Sequence, residues 1–297
     1  MIEKRSLSRI IFNIFNYGFM ILFGIICILP IWHVVMASVS DPRLLMESSG
    51  LLLKPLGKIT FDGYKMVLEN KTVLTGYINT IIYVVTTAAG GAFLTAIAGY
   101  LTSRKNFKLA KPLTAFIMFT MIFSGGLIPT YMIIRGLGMI NTRWAIILPS
   151  LINAYYIIIM KSAFEQLPDS YEESAKLDGA GPVTILFRIL LPLVKPTMVV
   201  VIMFAVIMQW NSWYPASIYL PRTRDYWPLQ MIMRSLLIQN DTSKIITSSS
   251  DANMLVNMTG NLVKYCVTVV ATAPILLAYP FAQKYFVTGI TLGGVKE

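Results

Sequence analysis

Two groups of residues in this 297-residue chain have the types and spacing to do chemistry. The first is Gln209-Trp210-Asn211-Ser212-Trp213-Tyr214. Aromatic faces pack on the apolar side of a sugar ring while amides and hydroxyls bond its polar edge. Gln209 and Trp213 stand four residues apart, on one helical face. Asn79 and Tyr83 repeat that spacing, and Asn153, Tyr155 and Tyr156 add a third group. The same residue types also form interfacial belts in membranes or bond a neighbouring helix. Composition leaves both readings open. The second group is Leu167-Pro168-Asp169-Ser170-Tyr171-Glu172-Glu173-Ser174-Ala175-Lys176-Leu177-Asp178-Gly179-Ala180-Gly181-Pro182, running on through Phe187-Arg188-Ile189-Leu190-Leu191-Pro192. Pro168 suits a first helical turn, and Asp169, Glu172 and Glu173 complement its N-terminal dipole. Gly179 and Gly181 allow a turn, Pro182 can start a second helix, and Pro192 limits it. The expected form is an amphipathic helical elbow. On composition alone it is either an exposed elbow or an ordinary loop on lipid head groups.

The elements that must position these groups are membrane helices. Hydrophobic residues make up 56% of the chain and charged ones only 13%, and mean hydropathy is +0.65. A soluble domain carries about 25% charged residues. The apolar residues come in blocks without the polar stripe of a soluble helix. Spans are predicted at 15–39, 76–101, 112–134, 144–164, 197–215 and 264–286, each long enough for a hydrocarbon layer of roughly 30 Å. The fold class is therefore all-α, a polytopic membrane protein of about six spans, or five if one only dips into the bilayer. Residues 1–14 form an N-terminal segment, 15–297 the transmembrane domain, 165–196 one loop and 216–263 another. The last contains the apolar stretch Leu229–Leu237, readable as a helix at the interface or part of a functional outer loop.

Net charge is +11, but without a basic stripe interleaved with aromatics it points to head groups and not to nucleic acid. Cys27 and Cys266 lie in apolar blocks without metal-ligand spacing. Lys4, Arg5 and Arg9 before a long apolar run fit an uncleaved first helix better than a signal peptide. With the N-terminus inside, 13 of the 25 basic residues fall inside and 12 outside, so charge orients the chain weakly. Apart from His33, and Lys161 and Lys284 near helix ends, no ionisable Asp, Glu, Lys, Arg or His lies deep in any span. An ion-coupled carrier usually needs such groups. His33 reads as an interfacial residue. No nucleophile, base and orienting group occur together, so no catalytic residue, metal site or cofactor is expected in this chain. There is no GxxxxGK[ST] loop either.

The elbow carries a specific resemblance. Glu173-Ser174-Ala175, Gly179, Ile189 and Leu191-Pro192 reproduce the spacing of the Glu-Ala-Ala…Gly…Ile-x-Leu-Pro pattern of ABC importer permeases, with Ser in place of the middle Ala. Phe123–Thr130, Gly138–Trp144, Trp210–Trp213 and the Gly-rich stretch Thr288–Lys296 are similar to the carbohydrate branch, the MalG-like subunits and their LplC-like group. The resemblance implies a type I importer permease fold in a bacterial cell membrane, with a cytoplasmic coupling elbow and both termini cytoplasmic. It implies that Glu172, Glu173, Ser174, Ala175, Asp178, Gly179 and Ala180 engage an ATPase. Glu173 makes the polar contact, Ala175 permits close approach and Gly179 forms the turn. The implied partners are a homologous second permease, two ATPase copies that bind ATP and Mg, a sugar-binding delivery protein and membrane lipid. The 216–263 loop is implied to meet the delivery protein. Asn79, Tyr83, Asn153, Tyr155, Gln209, Trp210, Asn211 and Trp213 are the candidate path residues for a sugar, with an oligosaccharide, such as a pectin-derived one, favoured slightly over a monosaccharide. The competing readings are an ATP-independent secondary transporter and a membrane enzyme or structural subunit. Neither needs the elbow.

Overall fold

A computed structural model describes residues 7–238 and 260–277, together with residues 280 and 283. The described residues are helical with no strand among them, and they divide into two compact units.

The first unit holds residues 1–70 and 235–272. Its described part begins with α1 (Leu7–Ser38), followed by α2 (Pro42–Glu47) and α3 (Asp62–Glu69). The apolar helix starts at Leu7, earlier than the predicted span. Asp41 caps α2 by accepting from the Arg43 N–H at 2.9 Å, one of the orphan donors of a helix start. Within this unit His33 ties three segments together. Its Nδ1 accepts from the Leu52 N–H at 3.0 Å, and its ring meets Tyr265 edge-on at 5.7 Å between centroids. Ser38 and Tyr64 share a hydroxyl hydrogen bond of 2.6 Å. The buried Cys266 thiol donates to the Ser38 carbonyl at 3.3 Å, while Cys27 is exposed on α1.

The second unit holds residues 71–234 and 273–297. Its axis is α4 (Lys71–Ser103), 33 residues long, or about 50 Å at 1.5 Å per residue. Tyr83, Thr87, Gly91, Thr95 and Gly99 recur every four residues and are all buried. Small residues in that register let helix backbones approach closely in a membrane. A Cβ on Gly91 would lie 2.9 Å from the Leu151 carbonyl, and one on Gly99 2.8 Å from the Met160 Cβ. These two contacts fix where the span Trp144–Glu165 crosses α4.

Two predicted spans are not single rods. The 112–134 block is α5 (Ala110–Ile122) and α6 (Leu127–Gly136), bent by 116° at Phe123-Ser124-Gly125-Gly126. Gly126 takes φ +80° there, a conformation open to Gly and expensive for a residue with a Cβ. Hydropathy sees only the apolar composition across the break. The 144–164 block is α7 (Trp144–Ser150) and α8 (Ala154–Glu165), with Asn153 capping α8 by accepting from the Tyr155 N–H at 2.9 Å. It still counts as one candidate span.

Then come α9 (Ser170–Leu177), α10 (Pro182–Leu193) and α11 (Lys195–Trp210). α10 contains a π-helical stretch, Ile185–Leu190, and meets α11 at an 87° bend. Pro192 and Pro196 flank that bend, where each removes a backbone donor. α12 (Tyr214–Tyr219) and α13 (Leu229–Ile238) follow, and α14 (Gly260–Leu277) lies further along the chain. Among the described residues four helices are long and apolar enough to cross a bilayer, or up to six if each bent pair is one span. α13 is not a surface helix: Leu229, Met231, Ile232, Met233 and Leu236 are buried. It lies so close to α4 that a Cβ on Gly76 would fall 2.3 Å from Ile232 Cδ1 and 3.3 Å from Leu229 Cα. The later part of the sixth predicted span, the C-terminal Gly-rich stretch and residues 239–259 of the outer loop lie outside the described residues.

Candidate coupling and translocation sites

The elbow is built by α9 and the start of α10. α9 ends in a Schellman turn: the Gly179 N–H donates to the Lys176 carbonyl at 3.0 Å and the Ala180 N–H to the Ala175 carbonyl at 2.9 Å. That turn needs a left-handed residue after the cap, and Gly179 supplies it at φ +79°. Gly181 is extended, at φ −75° and ψ 163°, and Pro182 begins α10.

Around this turn the predicted coupling residues part company. Glu173, Ser174, Asp178 and Gly179 are exposed, and Ala180 is half-buried. Glu172 and Ala175 turn inward instead. Ala175 is 6% exposed and packs in one cluster with Tyr100, Phe164, Ile185 and Leu190. Its small side chain lets α9 sit tightly on its own bundle.

Glu172 accepts from Arg104 Nη1 at 2.8 Å through Oε2, and from Lys176 Nζ at 2.7 Å through Oε1. Tyr100 Oη also reaches Oε1, at 3.4 Å. Arg104 Nη2 donates to the Phe164 carbonyl at 2.9 Å, so one guanidinium joins the ends of α4 and α8 to α9. Burial by itself raises the Glu172 pKa. The hydrogen bonds and charges of Lys176 and Arg104 outweigh it and hold the carboxyl below its ordinary value. The Lys176 ammonium is raised by the same hydrogen bond to Glu172, against a smaller opposing effect of desolvation.

Sequence reasoning missed Arg104 as a site residue, because nothing local in the 102–111 turn points 68 positions ahead to Glu172. It also missed the apolar tip. Leu177 is 90% exposed, Val183 72% and Tyr171 46%. The signal was available: with Ala175 facing inward on α9, Leu177 falls on the outward face.

Of the other candidates, Asn79 and Tyr83 lie in the opposite half of α4. Asn79 is fully buried. Its Nδ2 donates to the carbonyls of Asp225 and Trp227 at 2.6 and 3.1 Å, and its Oδ1 accepts from Arg143 Nη2 at 2.9 Å. Tyr83 is also fully buried and donates to the Tyr226 carbonyl at 2.7 Å. Both residues therefore clamp the 225–227 strap onto α4. Gln209 and Trp210 are buried, with Trp210 edge-on to Tyr77 at 6.2 Å. Asn211 is exposed, but its amide donates back to the Ile207 carbonyl at 2.8 Å. Trp213 is half-buried, with the Arg234 guanidinium 3.7 Å above its ring. Asn153 and Tyr155 are exposed at the break in the fourth span. The structure thus joins Asn79 and Tyr83 in one clamp and leaves the tryptophan group and Asn153–Tyr155 as separate features.

Arginine on aromatic rings marks this end of the unit. Arg143 lies 4.7 Å from the Tyr226 ring, Arg224 5.1 Å from Trp227, and Arg234 over Trp213. Asn79 and Arg104, at the two ends, are 25 positions apart on or just past α4, or about 37 Å of helix. Strap and elbow occupy opposite ends of the unit.

Known proteins place this geometry. Residues 97–292 match the family described as "Binding-protein-dependent transport system inner membrane component". The chain belongs to this family. It is an inner-membrane transport permease of the ABC-importer kind, and the secondary-transporter reading is not favoured. The chain is 34% identical to the polygalacturonan/rhamnogalacturonan transport system permease protein YtcP of Bacillus subtilis (strain 168), over 96% of this chain and 98% of that protein. It is 35% identical to protein LplC of the same strain, over 96% and 95%. Among solved structures it superposes on a chain of a bacterial ABC transporter involved in the import of the acidic polysaccharide alginate, with TM-score 0.84 and 28% identity over 95% of this chain and 98% of that one.

Proposed function

We propose that this permease is one half of the translocation path of an ATP-driven importer of acidic oligosaccharides. Its elbow docks on a cytoplasmic ATPase, and a homologous second permease completes the path. The observation that carries the coupling role is the α9 elbow itself. Its inner face is locked to α4 and α8 through Glu172, Arg104 and Ala175, while its tip offers Leu177 to a partner. A rigid joint on one side and an apolar tooth on the other let a movement of the partner reach the spans. Glu173, exposed beside the tip, supplies a polar contact. ATP and Mg are bound and hydrolysed on the partner, and this chain supplies positioning only. The elbow then faces the cytoplasm, and the 225–227 strap faces outward, towards a sugar-binding delivery protein.

An acidic substrate is supported by two similarities: the relative named for polygalacturonan and rhamnogalacturonan, and the alginate importer. The arginines stacked on Tyr226, Trp227 and Trp213 add positive charge and aromatic surface at the outer end. Guanidinium groups suit carboxylates because they donate two parallel hydrogen bonds.

The test is ATP hydrolysis by the reconstituted transporter, stimulated by its delivery protein loaded with an oligogalacturonate. Leu177→Asp is expected to reduce stimulation at least tenfold while the subunits still co-purify. Full stimulation in that variant would refute the docking role. Equal stimulation by a neutral maltodextrin would refute the acidic substrate while leaving the coupling intact.

A further inference from the structure

A cleft at the elbow end of the second unit borders the elbow joint through Arg104, while its other cations take no part in that joint. It has a volume of about 750 Å³ and opens where α4 ends, the 104–109 turn passes, and α5 begins beside the end of α8. Its charged lining is Arg104, Lys105, Lys108, Lys111 and Lys161 against a single acid, Glu165. Two of these cations are satisfied: Arg104 by Glu172 and Lys161 by Glu165 at 2.5 Å. Lys105 only approaches Asp169, at 3.6 Å, with both side chains mostly exposed. Lys108 and Lys111 make no ion pair among the described residues. The cleft thus presents more positive charge than the protein neutralises.

The other wall gives the shape of the missing partner. Lys111, Thr114, Ala115 and Met118 line the cleft from a single helix, and at offsets of three, four and seven residues they share one face of α5. Charge sits at the elbow end of that stripe and apolar surface runs from it along the helix. A free inorganic anion would use the lysines and leave the apolar stripe idle. An amphiphile with an anionic head and a hydrocarbon tail would use both. Basic clefts between membrane helices at the cytoplasmic side suit anionic head groups, and lysine stems can lie on apolar surface while the ammonium meets the phosphate.

We propose that this cleft binds the phosphate of an anionic phospholipid between Lys108 and Lys111, with an acyl chain along Thr114, Ala115 and Met118. The site requires no particular transported solute. It depends on the elbow facing the cytoplasm only for which leaflet supplies the lipid.

Native mass spectrometry of the full chain in its purified transport complex tests this, in micelles doped with dioleoyl phosphatidylglycerol, dioleoyl phosphatidylcholine or neither. The wild type is expected to retain phosphatidylglycerol and not phosphatidylcholine, with millimolar inorganic phosphate failing to displace it. Lys108→Gln with Lys111→Gln should reduce retention about tenfold or more, and Lys108→Arg with Lys111→Arg should restore it. If the double Gln variant does not assemble, each single Gln variant is measured and should lose about threefold. Retention unchanged by charge removal, or equal for the two lipids, would overturn the site. Displacement by phosphate would show an anion site without lipid selectivity and would overturn the lipid assignment.

Discussion

Arg104 and Glu172 tie the elbow helix α9 to the ends of α4 and α8. Removing Arg104 leaves a carboxylate that is only 12% exposed in its side chain, with Lys176 as its one remaining strong partner. Arg104→Ala should destabilise the elbow's attachment by about 1–3 kcal/mol. The expected readout is faster proteolysis within 168–182, with Glu172→Gln giving a milder version. The pH dependence follows from the directions of the two shifts. The Glu172 carboxyl lies below its ordinary 4.5 in the folded state, so its stabilisation is complete above that value and disappears as pH falls through the lowered one. The Lys176 ammonium lies above its ordinary 10.5, so its share is complete below that value and fades only at higher pH. Attachment should therefore be flat across neutral pH and weaken in acid. Thermal unfolding midpoints at pH 7 and pH 3 should diverge less in Glu172→Gln than in the wild type. Little of this was legible in the sequence. The Glu173-Ser174-Ala175…Gly179 spacing marks a turn, but which of two neighbouring glutamates turns inward depends on a guanidinium from a distant helix.

At the scale of elements, two glycines make sharp claims. Gly179 sits at φ +79° with open space around its missing Cβ, so a substitution there acts through backbone strain alone. Gly179→Val should cost about 1–2 kcal/mol and lower delivery-protein stimulation of ATP hydrolysis, with little change in expression. Gly76 is the opposite case, an α-helical glycine kept small by a neighbour. Gly76→Val should drive α13 off α4 and expose the backbone near Arg222 and Arg224 to trypsin. The glycine of the elbow turn could be read from spacing because a Schellman turn is local. The bend at Phe123–Gly126, the clamp on the 225–227 strap and the burial of α13 could not. Each is decided by contacts between segments or by a break that apolar composition hides. Asn79 and Tyr83 show the same limit. Their four-residue spacing correctly placed them on one face, but the partner on that face is the protein's own backbone.

At the largest scale, the second unit is arranged as a lever. One end of α4 holds the arginine-and-aromatic strap, the other holds the elbow, and tight small-residue packing against α8 keeps the length between them stiff. Family membership and the general membrane architecture were open to sequence because long apolar blocks and a spaced motif are local patterns. The lever was not, since it depends on which ends of the helices meet. Its central claim is that Leu177 lies in the cytosol and in the grip of an ATPase. Cysteine placed at that position, in a Cys27→Ser, Cys266→Ala background, measures both at once. In inside-out vesicles of the assembled transporter, Leu177→Cys should be blocked from a membrane-impermeant maleimide and cross-link to the ATPase, becoming reactive when the ATPase is stripped away. Labelling from the outside of intact cells, or reactivity indifferent to the ATPase, would contradict the account.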